Sequence, residues 1–413
     1  MTMPIQLAQT DSGGSWLADP VHRAFLAADA RAQFAVFRPS LRSDGGFDSL
    51  GRDGAPLPRG PQELHATTRM VHSFALGHSW GAADCAPVIE AGLDFLADRH
   101  RDPVHGGYAW SVSEEGIADG TKLAYGHVFV LLAAASAKTA GFAAADALLA
   151  DIAEVLETRF WDAAHGLYRD EFARDWQPFS EYRGMNANMH AVEAHLAAFE
   201  TTGERLWLDR AGRILDFFVT RMAPQHGWRL PEHYSADWEV DPDYAGNPMF
   251  RPRGTTPGHS LELGRLALQH WDLAGRPAGG MPDRARRLIE TALAEAWLPE
   301  GGLAYTLGPG GKVDVADRYW WPVTEAIGAM ATLLKLGGGA EDEAWYRRLW
   351  QFASAHFIDP ARGGWIPEID AAGRPAETQF RGKPDIYHAL QAALFPLVPS
   401  VTRLQEGLAR LRD

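Results

Sequence analysis

Cysteine is almost missing from this chain of 413 residues, which carries a single one, Cys85. One thiol can form neither an internal disulfide nor a cysteine metal cluster; in its alanine-rich stretch it reads as a small buried side chain suited to a reducing compartment. Basic charge is also short: 39 Lys and Arg against 53 Asp and Glu give a net charge of −14. That balance repels phosphate backbones and anionic lipid, so neither nucleic acid nor a membrane surface is expected as a partner. No stretch approaches the ~18 consecutive apolar residues of a membrane span, and the leading MTMPIQLAQTDSGG lacks the basic and apolar regions of a secretory signal. The expectation is a soluble cytoplasmic protein. HExxH and Walker-type phosphate loops are absent. The GxSxG match GHSWG (Gly77 to Gly81) ends a helical segment without the strand-turn-helix setting of a nucleophile elbow, so Ser79 reads as coincidence. Disorder is excluded too, since 46% of residues are hydrophobic and 22% charged.

What the chain does have is a repeated turn. A Gly-aromatic signature returns as SDGGFDS (Ser43 to Ser49), DPVHGGYAW (Asp102 to Trp110), DAAHGLYRD (Asp162 to Asp170), QHGWRLPEH (Gln225 to His233), PEGGLAYTL (Pro299 to Leu307) and DPARGGWIPEID (Asp359 to Asp370). Its aromatic, or Ala304 in the loosest copy, falls at 47, 108, 168, 228, 304 and 365, so the steps are 61, 60, 60, 76 and 61 residues. A fixed period of this size marks a repeat architecture.

Each interval holds two segments with apolar residues at helical spacing. They are Pro61 to Trp80 with Pro87 to Arg99, Lys122 to Ala137 with Ala143 to Phe160, Asn186 to Thr201 with Arg205 to Arg221, Gly258 to Leu273 with Arg284 to Trp297, and Trp321 to Leu336 with Asp342 to Phe357. The last segment, Pro384 to Leu394, finds its partner in the N-terminal Pro20 to Phe34. Pro87 suits the first position of its helix, where a missing N–H costs nothing. Alternation within the signatures, as at Tyr108/Trp110 and Trp365/Pro367, suggests short hairpin pieces. Six helical pairs can stack openly or close; the final helix has little polar surface for a cap, so closure into an all-α (α/α)6 barrel is expected. Length alone, at ~150 residues per domain, would suggest two or three domains. The connections between paired helices, such as Ala274 to Gly280, span only a few residues, so 1–413 reads as one domain.

If the first helix after each signature is the inner one, its N-terminal end lines the barrel mouth. That rule gathers Arg69, Tyr125, His127, Asn186, His190, His259, Glu262, Trp320, Trp321, Glu325 and His388. A lone His in an apolar helix is normally a hydrogen-bonded structural residue, which is the expectation for His72, His78, His195, His270 and His356. His190, His259 and His388 differ because they recur at one phase in three repeats, which aims them at one axis. Glu262 follows His259 by three and shares its face, where a carboxylate could orient the imidazole or hold a hydroxyl; a capping or solvated Glu is the alternative. Neighbours on a helix diverge by a quarter-turn or more, so at most one of Trp320 and Trp321 is expected to face the cavity. Buried Arg69 and Arg251 would need an anion or several oxygens, which a polyhydroxylated ligand supplies; surface placement is the alternative for Arg251. A glycosidase would need two opposed carboxylates, and Glu262 and Glu325 could serve. Three histidines could also hold a metal, but their sequence separation carries no information.

These motifs resemble the N-acylglucosamine 2-epimerase superfamily, and more closely its aldose-ketose isomerase branch. The resemblance runs from FRPSLRSDGGF to DIYHAL, with RGMNANMHAVEAHLAAFETTGE, FRPRGTTPGHSLEL and RYWWPVTEA its most specific blocks. It implies an (α/α)6 barrel that uses no metal and no other cofactor and acts on a monosaccharide, as a monomer or a homodimer. The implied site comprises Arg69, Tyr125, Asn186, His190, Arg251, His259, Glu262, Trp321, Glu325 and His388. In it, His259 helps open the sugar ring and His388 moves a proton between C2 and C1 through a cis-enediolate. RPRGTT, around Arg251, departs from the family's usual aromatic-Gly version, and Arg253 is a second candidate there. The implied reaction is D-mannose to D-fructose, with D-lyxose to D-xylulose as a further pair; a sugar 2-epimerase and a non-catalytic carbohydrate-binding protein are the alternatives. The residue types suit this chemistry: removing a proton α to an aldehyde needs a base near neutrality, and imidazole at ~6.5 is one.

Overall fold

The computed structural model describes residues 14–244, 246, 251–383 and 385–412. The N-terminal stretch read for a secretory signal, apart from Gly14, and Pro384 at the start of the last expected helix lie outside the described residues. Twelve main helices follow in pairs: α1 (Pro20–Phe37), α2 (Leu64–Trp80), α3 (Ala86–Phe95), α4 (Ala124–Thr139), α5 (Ala145–Val155), α6 (Met185–Thr202), α7 (Arg205–Leu215), α8 (Pro257–Leu273), α9 (Met281–Ala296), α10 (Trp320–Lys335), α11 (Ala340–His356) and α12 (Tyr387–Leu394). α3, α5 and α7 run on through wider π-type turns at Leu96–His100, Leu156–Phe160 and Asp216–Met222. No helix among the described residues is long and apolar enough to cross a membrane.

The even-numbered helices form an inner ring: each packs on the next, and α12 packs back on α2. Each odd-numbered helix lies outside one of them, and α1 covers α12, so the N-terminal helix completes the last pair. Sequence dictates the layer. α4 (AYGHVFVLLAAASAKT) and α10 are buried almost all round, whereas α7 (RLWLDRAGRIL) buries one stripe and leaves arginines and an aspartate outside. An all-round apolar helix must be interior; a striped one can face water. The protein is an (α/α)6 barrel.

Short antiparallel links lock neighbouring repeats. The residues leading into each inner helix pair with the end of the next signature or the residues just after it: 62–63 with 111–112, 122–123 with 171–172, 183–184 with 233–234, Thr255 with Leu307, and 318–319 with 368–369. The sixth link, Lys383 with Leu50, joins the last repeat to the first. At this closing seam Gly382 is in the left-handed region (φ +63), and a Cβ there would lie 1.9 Å from the Leu50 carbonyl oxygen, so only glycine fits. Two of these links take up residues inside the expected helices, which is why α2 starts at Leu64 and α4 at Ala124, three and two residues later than their hydrophobic pattern suggested. In the outer layer α3 starts one residue earlier than expected, at Ala86, so Pro87 sits at its second position and not the first. Five signature copies close on the end of the preceding outer helix through a backbone bridge, at Phe47, Tyr108, Tyr168, Leu303 and Trp365. The fourth ends instead with Trp228 at φ 65, its N–H bonded to the Ala223 carbonyl.

Candidate active site

The six lead-ins bring the N-terminal ends of the inner helices around a cavity of about 320 Å3. Arg69, Tyr125, Asn186, His190, His259, Glu262, Trp321 and His388 line it, together with Glu63, His65 and a loop carrying Gln379, Phe380 and Arg381. Eight of the ten site residues named from the sequence thus converge.

Two histidines are held by carboxylates. His388 Nδ1 lies 2.9 Å from Glu325 Oε1, and His259 Nδ1 lies 3.0 and 3.1 Å from the two oxygens of Glu232. A carboxylate on Nδ1 fixes that nitrogen as the N–H donor and leaves the Nε2 lone pair available. Trp321 stands between the two rings, 5.1 Å from His259 and 5.9 Å from His388 by centroid. Glu325 itself lies behind the wall, its other oxygen 2.9 Å from Arg265 Nη2. Burial pushes the Glu325 carboxyl up, but Arg265 and His388 outweigh it and hold it below the usual range.

Both indoles reach the wall, against the expectation of one. Trp320 arrives edge-on between Phe380 (5.1 Å) and His388 (6.0 Å) because the 379–381 loop folds over the end of α10 and carries the cavity round the helix. Gly258 makes room for Trp321: a Cβ there would fall 2.4 Å from the indole. Gly258→Ala is therefore expected to push Trp321 off the two imidazoles, destabilising the fold by roughly 1–3 kcal/mol and lowering kcat far more than that loss explains. Thermal melting and steady-state kinetics on the variant check this, and unchanged kcat would remove Trp321 from the reaction.

On the opposite wall Arg69 bonds Asp385 Oδ2 at 2.7 Å and the Tyr125 hydroxyl at 2.9 Å, with its guanidinium 4.7 Å from the rings of Phe129 and Tyr387. Burial works against the charge of Arg69, but Tyr125, Asp385 and Tyr387 raise its pKa above the ordinary value. His190 sits beside it with its pKa lowered to about 4: burial is the main cause, Arg69 and His259 add to it, and Glu193 opposes it.

Arg251 does not reach this cavity. Its Nη2 lies 2.5 Å from Glu171 Oε2 and its guanidinium stacks 4.0 Å over Tyr182; it belongs to the lead-in, six residues before α8. Arg253 lines a separate cavity of about 270 Å3 on the far side of Glu232. His127 staples the repeat together, since Nε2 accepts the Tyr108 N–H at 3.0 Å and Nδ1 meets the Leu123 carbonyl at 2.7 Å. His72, His195 and His270 likewise bond Ser136, Tyr168 and the Leu208 carbonyl, as expected of structural histidines. Ser79 lies within α2 and accepts from Gln405 at 3.0 Å.

Among the described residues, His190, Glu193 and Glu262 are the one grouping with metal-ligand spacing, within 4.8 Å of one another. The Tyr387 hydroxyl already donates to Glu193, and Arg265 Nη2 stands 3.8 Å from Glu262, so a cation would have to displace a hydrogen bond and face a guanidinium. We assign no ion to it.

Residues 45–392 match the N-acylglucosamine 2-epimerase (GlcNAc 2-epimerase) family. The chain belongs to that family. Its similarity is closer to some members: a D-mannose isomerase of Thermobifida fusca is 40% identical over 401 residues, covering 95% of this chain and 98% of that one. A D-mannose isomerase of Pseudomonas cannabina pv. alisalensis is 38% identical over 408 residues, 96% and 98% of the two chains. Among solved structures, a D-mannose isomerase superposes with a TM-score of 0.84 at 32% identity, covering 91% of this chain and 97% of the other. A cellobiose 2-epimerase from Spirochaeta thermophila DSM 6192 shares the epimerase-family fold, with a TM-score of 0.80 at 23% identity over 91% and 95% of the chains.

Sequence reasoning missed Glu232, Asp385 and Arg265. One signal could have found Glu232: an acid stands within two to four residues after the aromatic of the third, fourth and sixth signatures, as Asp170, Glu232 and Glu368. All three are buried and take backbone N–H groups, from Gly184, from Thr256, and from Thr378, Gln379 and Phe380.

Proposed function

We propose that this protein is an aldose-ketose isomerase that interconverts D-mannose and D-fructose. The observation that carries the reading is the pair of carboxylate-held imidazoles, His259–Glu232 and His388–Glu325, facing one cavity across Trp321. Relatives that are D-mannose isomerases over nearly the full chain support the choice of reaction. His259 opens the pyranose by taking the C1 hydroxyl proton on Nε2 and passing it to the ring oxygen as the C1–O5 bond breaks; His388 Nε2 then takes the C2 proton and returns it to C1 while the O2 proton passes to O1. Between these steps the substrate is a cis-enediolate, whose oxygens accept hydrogen bonds from Arg69 and its neighbours; charge-assisted bonds of this kind contribute up to ~3 kcal/mol each in a dry cavity. The Trp321 face suits the C–H surface of a sugar. The ring closure supports treating 1–413 as one catalytic domain, and buried Cys85 supports a reducing compartment. Incubating the purified protein with D-mannose and following D-fructose tests the reading; no product after prolonged incubation with D-mannose or D-lyxose would favour a binding protein.

The reaction needs acid/base groups that the chain itself supplies. Activity is therefore expected to survive overnight dialysis against EDTA, measured as D-fructose formed from D-mannose; loss that one divalent ion restores would overturn that part of the mechanism.

A further inference from the structure

Three carboxylates and one guanidinium meet at the floor of the cavity, which Glu262 lines and behind which Glu193, Glu325 and Arg265 lie. Glu193 on α6, Glu262 on α8 and Glu325 on α10 are all buried, and Arg265, one turn after Glu262, is the cation between them. Arg265 is committed to Glu325: Nη2 lies 2.9 Å from Glu325 Oε2 but 3.8 Å from Glu262 Oε1, and Nη1 is 3.3 Å from Gln269. Glu325 also takes His388, while Glu193 takes the Tyr387 hydroxyl and, at 3.3 Å, Gln391 Nε2. Glu262 has no such support. It is 0% exposed, and neither carboxyl oxygen has a hydrogen-bond partner.

A buried carboxylate with no donor on either oxygen and two anionic neighbours is strongly disfavoured; the group keeps its proton instead. Burial and then Glu325 push the Glu262 carboxyl well above the ordinary range, Glu193 adds to this, and Arg265 and Arg69 only partly oppose it. His190, with Nδ1 3.6 Å away, could in principle take the proton, but its own pKa is lowered by burial, by Arg69 and by His259. We propose that Glu262 works as an un-ionised acid that presents its carboxyl O–H to an oxygen of the bound sugar, and that Arg265 is the positioning residue that keeps it so by pairing with Glu325. A neutral donor at this wall supports the negative charge that develops on the enediolate, where a carboxylate would repel it. The identity of the ligand rests on the isomerase reading; the protonation state does not.

Infrared difference spectroscopy on the full chain, wild type minus Glu262→Gln, reads the proton directly. The other carboxyls raised by burial, Glu63, Asp29 to about 6 and Asp170 and Glu200 to about 7, are present in both proteins and cancel in the difference. The expected result is a carbonyl stretch of an un-ionised carboxylic acid in the wild type that is missing from the variant and moves to lower frequency when D-mannitol, an open-chain polyol, is added. Glu325→Gln frees Arg265 for Glu262 and is expected to abolish the band. A wild type without the band overturns the proposal, a band persisting in Glu325→Gln overturns the role of Arg265, and a band indifferent to D-mannitol overturns the sugar contact. Failure to form D-fructose with the band present would sink the isomerase reading alone.

Discussion

Replacing His388 with alanine is expected to cut turnover of D-mannose by about 10⁴-fold and to leave the far-ultraviolet circular dichroism unchanged. The effect sits at the top of the range for acid/base groups because, in the mechanism proposed above, one imidazole both removes the C2 proton and delivers it to C1, so no step can bypass it. His388 Nδ1 is fixed by Glu325, which in turn is fixed by Arg265, so the ring is pre-aimed and a water molecule in its place would not be. The fold should survive because His388 lies on the cavity wall at the start of α12, while Tyr387 and Leu390 beside it fill the core. Circular dichroism and the D-fructose assay on the same preparation separate the two outcomes, and wild-type turnover in the variant would withdraw His388 from the mechanism.

His259→Ala is expected to lower kcat/KM for D-mannose by about 10²–10³-fold. The loss is smaller than at His388 because sugars open spontaneously in water, which supplies some open-chain substrate without help. Glu232 holds His259 through both carboxylate oxygens and also takes the Thr256 N–H, so Glu232→Gln should fall between wild type and His259→Ala. Steady-state kinetics on the two variants give the order; an effect of Glu232→Gln larger than that of His259→Ala would mean that Glu232 acts on the sugar itself.

Much of this architecture could be read from the chain because one turn signature returns six times, with four of its five steps 60 or 61 residues long. An inner helix such as α4 and an outer one such as α7 also differ in the width of their apolar faces. The starts of the inner helices were harder to place. Gln62 and Lys122 have side chains that suit a helix, but their backbones are drawn into cross-repeat strand links that no local pattern records. The same repeat logic collected His190, His259 and His388, since one phase in three repeats must point at one axis. It could not place Arg251, whose position depends on a pairing with Glu171 some 80 residues away. Nor could it find Asp385, Arg265 or Glu193, because a single charged residue in a helical stretch looks the same whether it faces water or a buried partner.

In the proposed mechanism a single base carries a proton from C2 to C1 on one face of the sugar. Running the D-mannose reaction in deuterated water and following the earliest products by NMR tests that claim most directly. D-fructose is expected as the dominant early product, with a substantial share of C1 positions retaining the original proton because a shielded imidazole returns it before solvent exchange is complete. D-glucose appearing first, with solvent deuterium at C2, would contradict it and establish a two-base epimerase in which His259 and His388 serve opposite faces.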